Sequence, residues 1–209
     1  MKLHRFLPLF FLSLSGFAQD QLFPDGIYTD LESLRNRYPA LETRLQVTHR
    51  SKGDIMMMGG NDYKLEDPTD SIGKKDIQKQ VFAYVQGDSI FLNGTVHELP
   101  PHFCLCLTKG PFLVFEAGPT MDEGVAAGVM FGAIGSALSA TSRYLYVLSL
   151  RTGNVRLLTE DYDTNRLKED PQLLEEYSEE RSPDSGATLI KYMNLFNKTL
   201  KISPNVLTQ

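Results

Sequence analysis

Tryptophan is absent from the 209 residues, and cysteine occurs only at Cys104 and Cys106. Two thiols cannot make a disulfide framework, and an extended i, i+2 pair holds its Cβ atoms well beyond the ~3.8 Å usual in a disulfide. Positive charge is also in deficit, with 21 Lys and Arg against 26 Asp and Glu and a formal charge of -5. Such a chain does not seek nucleic acid or anionic lipid by charge. Nucleophile-elbow, phosphate-loop, zincin and dinucleotide-binding signatures are missing as well. Catalytic residues drawn from distant positions carry no such signature, so an enzyme, a hydrolase in particular, stays open.

What the chain does contain is the material of one ordinary core, 42% apolar and 22% charged residues. Its first eighteen residues stand apart. Lys2 and Arg5 precede an apolar run from Phe6 to Leu14, and Ser15-Gly16-Phe17-Ala18 places small residues at the minus-three and minus-one positions of a cut before Gln19. As a helix the run would be about 13 Å long against roughly 30 Å of hydrocarbon, so it reads as a cleavable export signal rather than an anchor. Removing Lys2 and Arg5 takes the formal charge from -5 to -7 and leaves an acidic mature chain, residues 19–209, expected to form a single domain.

Punctuation along that chain predicts an α+β fold. Gly26-Ile27-Tyr28 reads as a short strand entering a helix with Leu31 and Leu34 on one side, with Thr29 and Glu32 at capping-box spacing and Pro39 as its stop. Thr43 to Thr48 alternates like a half-buried strand, Ile55 to Met58 is a short apolar run closed by Gly59-Gly60-Asn61-Asp62, and Glu66 to Lys75 is a charged loop expected to be mobile. Three hairpins follow: Val81–Val85 with Ser89–Leu92 around Gly87-Asp88, Phe103–Leu107 with Phe112–Phe115 around Lys109-Gly110-Pro111, and Tyr144–Leu150 with Val155–Leu158 around Thr152-Gly153. The sheet is expected to be antiparallel or mixed. Asp170-Pro171 then caps a helix bearing Leu173, Leu174 and Tyr177, and a last helix carries Leu189, Met193 and Phe196 on one face. Strands first and helices last place the helices over one face or end of the sheet.

Several of these features together resemble a family of uncharacterised secreted proteins of Bacteroidota. They are Gly26-Ile27-Tyr28 with its leucine-spaced helix, the turns at Gly87-Asp88 and Thr152-Gly153, Asp170-Pro171-x-Leu173 running to Tyr177, and the closing stretch Tyr192 to Asn197. The resemblance implies a periplasmic or secreted location and no assigned activity. It transfers no functional residue.

The most unusual segment lies between residues 120 and 142. Gly124, Gly128, Gly132, Ser136 and Ala140 recur every fourth position and would form a small-residue ridge on a helix, with Thr120-x-x-Glu123 at capping-box spacing ahead of it. Glycine costs about 0.8–1 kcal/mol relative to alanine at each helical site, so such a helix needs a compensating close contact. Three readings remain open: a helix packed on the protein's own body, a membrane-inserted or self-associating helix over 124–142, and a glycine-rich loop. Those five small residues are the candidate interaction site.

No other cluster promises more. His97, His102, Cys104 and Cys106 have metal-ligand chemistry, but alternate residues 102, 104 and 106 of one strand are about 6.6 Å apart, too far to share a zinc ion, and no metal or cofactor is expected. Met56-Met57-Met58, read as a strand, would alternate faces and leave one methionine exposed. Glu175-Glu176 and Glu179-Glu180 read as a solvated helix face. The sequence thus points to an exported, non-enzymatic interaction or structural module, with a protein partner or a second copy as the expected kind of partner and no nucleic acid.

Overall fold

The computed structural model describes residues 23–119 and 142–200. The leader over 1–18, the cut before Gln19 and the glycine-rich segment carrying Gly124, Gly128, Gly132, Ser136 and Ala140 lie outside the described residues. The first half contains β1 (Gly26–Tyr28), α1 (Leu31–Arg35), β2 (Gln46–His49), α2 (Lys52–Met58), β3 (Tyr63–Glu66), α3 (Lys74–Gln80), β4 (Ala83–Gln86) and β5 (Ser89–Asn93), then a 3-10 turn at Gly94–His97. There follow β6 (Phe103–Leu105), β7 (Phe112–Ala117), β8 (Tyr144–Ser149), β9 (Val155–Leu157), α4 (Glu160–Leu167), α5 (Pro171–Ser178) and α6 (Gly186–Thr199).

Strand periodicity builds the layers. The first sheet has six strands in the order β1-β4-β5-β6-β3-β2 and the second has three, β7-β8-β9, with every pairing antiparallel. Alternate residues point to opposite faces. Accordingly Val85, Leu92 and Cys104 from the first sheet meet Leu113, Phe115 and Leu148 from the second in a core between the sheets. Their neighbours Tyr84, Phe91 and Phe103 pack outward with Ile77 of α3. On the far side of the second sheet, Phe112, Val114 and Val147 receive Leu167, Leu173, Tyr177 and Phe196 from α4, α5 and α6. The fold is α+β, with α3, two stacked sheets and a three-helix layer in succession.

The C-terminal helices follow the pattern of their sequence. Asp170 caps α5 ahead of a proline in its first turn, Ser185 caps α6, and Leu173, Tyr177, Leu189, Met193 and Phe196 are all buried. Asn197 interrupts the apolar stripe for a specific purpose. Its amide accepts from Phe112 N at 2.9 Å and donates to Phe112 O at 2.7 Å, fastening α6 to the edge of β7.

Elsewhere the structure departs from expectation. The cap of α1 is Asp30, with Ser33 as its reciprocal partner, rather than Thr29 with Glu32. A carboxylate is the stronger acceptor, and the Thr29 hydroxyl is turned toward it at 3.2 Å. Ile55 to Met58 belongs to a helix capped by the Ser51–Asp54 box, so Met56, Met57 and Met58 are all exposed and only Ile55 is buried. The charged 66–75 stretch is ordered around Asp67, which accepts from Thr69 N, Thr69 Oγ1 and Ile72 N. Lys64 and Lys74 both bridge Glu66. Finally, Phe103–Leu107 and Phe112–Phe115 do not make a hairpin within one sheet. β6 pairs with β5 and β3 in the first sheet while β7 pairs with β8 in the second, and a bridge at Cys106–Phe115 joins the two layers.

Candidate functional site

A cluster of polar groups that ties the two sheets together lies where β7 ends and β8 begins. Gly59 and Gly60 have φ of 64° and 92°, a left-handed turn that swings the chain out of α2 and into the core. A Cβ on Gly60 would lie 2.8 Å from Arg50 Nη1, His102 Cδ2 and Pro101 O, so only glycine fits. Asn61, fully buried, comes next and reaches in three directions. Its backbone N–H donates to Pro101 O at 2.7 Å, its side-chain Nδ2 donates to Pro100 O at 2.6 Å, and its Oδ1 accepts from Gly118 N at 2.9 Å. Gly94 lets the 94–102 loop approach, because a Cβ there would collide with Pro100 O and the Asn61 amide.

Charge completes the arrangement. Asp62 receives Arg143 through Nε at 3.1 Å and Nη2 at 2.6 Å, a forked pairing of a half-buried carboxylate and guanidinium. Arg50, only 7% exposed, donates from Nη1 to Asn61 O and from its backbone to Asp62 O. Burial pulls Arg50 below its ordinary value, against the opposing effect of Asp54 and Asp62. His102, at φ 76°, is pushed down to about 4 by burial and by Arg50 and Lys64, so its ring is neutral near pH 7. Two adjacent residues, Asn61 and Asp62, thereby hold Gly118 and Arg143, one on each side of the 120–141 segment.

The residues with metal-ligand chemistry are not brought together. His97 packs edge-on to Phe82 at 4.9 Å and burial lowers it to about 4. Cys104 is buried and Cys106 half-buried, both free thiols pushed up by burial, and both point into the core between the sheets. Among the described residues no three His, Cys, Asp or Glu converge in a way that could hold a metal ion. What this centre can do chemically is bind backbone: its amide, carboxylate and guanidinium groups are directed at carbonyls, N–H groups and one another.

This centre has no local sequence signature. Gly59-Gly60-Asn61-Asp62 was legible as punctuation, and two successive glycines before a potential turn-former did signal an abrupt change of direction. Nothing local indicated that the Asn61 side chain would reach residues 39 and 57 positions away.

Two stacked antiparallel sheets, braced by a buried asparagine and covered by helices on their outer faces, define an α+β protein. The chain belongs to a family of unknown function (DUF6563), whose model matches residues 26–200, from β1 to just past the end of α6. No curated protein and no solved structure matches it.

Proposed function

We propose that this protein is an exported, non-enzymatic interaction or structural module of the cell envelope, a periplasmic or secreted member of its family in Bacteroidota, working through the segment between β7 and β8. One observation carries the reading. Ala117 and Tyr144 are direct partners in the antiparallel ladder, and the next residues outward, Gly118 and Arg143, are held by Asn61 and Asp62. The two ends of the intervening segment are thus fixed beside one another at a single braced point, an arrangement suited to a binding element.

The same register weighs against a single membrane pass, which would separate Ala117 from Tyr144 by roughly 30 Å. Among the described residues no helix is long and apolar enough to cross a membrane. Chain length favours close apposition to the body. A continuous helix from Gly124 to Ala140 would be about 25 Å long. The six peptide steps before it and the three after it would reach at most about 20 and 10 Å, which would keep the ends of such a helix within those distances of Gly118 and Arg143. Such a helix would lie alongside the protein or alongside a second copy, where the ridge of Gly124, Gly128, Gly132, Ser136 and Ala140 would permit close approach.

Export itself is tested at the N-terminus. Mass spectrometry of protein released by osmotic shock is expected to find Gln19, free or cyclised, as the first residue, with the protein remaining soluble after carbonate washing. Intact Met1 in the released protein would overturn the export reading, and carbonate-resistant retention would favour insertion.

A further inference from the structure

Asp163 is completely buried on α4, and neither of its carboxyl oxygens has a hydrogen-bond partner among the described residues. Asp67, also buried, accepts from Thr69 and Ile72, so the fold does satisfy a buried carboxylate elsewhere. An ionised carboxylate in the position of Asp163 would carry an uncompensated desolvation cost, whereas the neutral acid is far easier to bury. The neighbouring elements do not relieve it. From α5 it faces Tyr177, whose hydroxyl donates to Pro183 O; Tyr192 of α6 packs edge-on against Tyr177 at 5.0 Å and donates its hydroxyl to Glu180. Glu160 on α4 and Asp184 in the α5–α6 connection add further negative charge around Tyr177. Arg166 lies over the rings of Phe112 and Tyr162, and Lys191 is held by Glu180.

We propose that Asp163 is a proton-operated latch: as the neutral acid it seats α4 against α5 and α6, and on ionisation it frees α4 to open locally. The carboxyl is completely buried on α4 beside Tyr177 of α5, where only opening would give its charged form access to water. Burial raises it from the ordinary 3.8 to about 7. A raised acid binds its proton more tightly in the closed state, so the closed state is favoured fully below about pH 4. That preference is lost as pH rises through about 7. Between those limits the open population should grow about tenfold per pH unit.

Native-state hydrogen exchange on the full mature chain tests this, with rates corrected for intrinsic pH dependence. Between pH 5 and pH 7 the opening equilibrium of α4 amides is expected to rise about 50-fold, about a factor of two being lost as the closed-state carboxyl itself begins to ionise. In Asp163→Asn the same amides should change less than about threefold and be better protected at pH 7 than in the wild type. Should Asp163→Asn not fold, Asp163→Leu serves the same comparison. An identical pH profile in wild type and variant would overturn the latch. So would α4 amides that open only together with those of β7 and β8, which would mean that α4 does not open separately.

Discussion

Asn61→Ala is expected to destabilise the protein by about 2–5 kcal/mol, a large share of the 5–15 kcal/mol typical of a folded domain. The substitution removes the partner of Gly118 N–H and of Pro100 C=O in one step. Each buried backbone group left without a partner costs about 1–3 kcal/mol, and Asn61 has no solvent exposure through which water could enter freely. Asn61→Asp separates the two functions of the side chain. It keeps an acceptor for Gly118 but places a second oxygen 2.6 Å from Pro100 O, where the amide now donates, so it too should be destabilising. Chemical denaturation of both variants provides the check. An unchanged midpoint for Asn61→Ala would show that the two sheets do not depend on this amide.

Phe196→Ala should be of similar size, about 3–5 kcal/mol, for a different physical reason. Phe196 is 1% exposed and its ring centre lies 5.7 Å from that of Phe112, so truncation empties a site walled by both the second sheet and the helices. The loss combines the transfer free energy of the ring with the cost of the cavity. It also weakens support for the adjacent Asn197, which holds α6 to the backbone of Phe112. A lower denaturant midpoint at unchanged slope is the expected signature. No change in midpoint would mean that the apolar stripe of α6 is a contact surface rather than core.

What the sequence made legible was what local periodicity encodes. The β4–β5 and β8–β9 hairpins follow from alternating strands around Gly87 and Gly153, both with positive φ, and α5 follows from Asp170-Pro171. Alternation assigns residues to faces but does not choose partners, which is why Phe103–Leu107 and Phe112–Phe115 look like a hairpin yet enter different sheets. α3 and α4 escaped notice because apolar spacing is the main signal for a helix and each offers little of it. Ile77 is the single buried residue of α3, and α4 buries Leu167 together with an aspartate. The α2 methionines misled for the opposite reason. A short apolar run looks like a strand, while the Ser51–Asp54 capping box carried the helical information. Asn61 and Asp163 stayed invisible because their importance comes from burial and from groups distant in sequence, which no local pattern records.

The proposal that the β7–β8 segment works by close apposition is tested most directly by adding volume to the centre of its small-residue ridge. Gly128→Leu and Gly132→Leu, examined by thermal unfolding together with size-exclusion chromatography, compare two opposing effects. Leucine is the better helix former by about 0.8–1 kcal/mol, so an uncovered ridge would gain stability from it. A ridge lying against another backbone cannot accommodate the side chain, and the expected result is a lower unfolding temperature or the loss of an assembled species. A higher unfolding temperature with unchanged oligomer size would contradict close packing and, with it, the interaction role assigned to the segment.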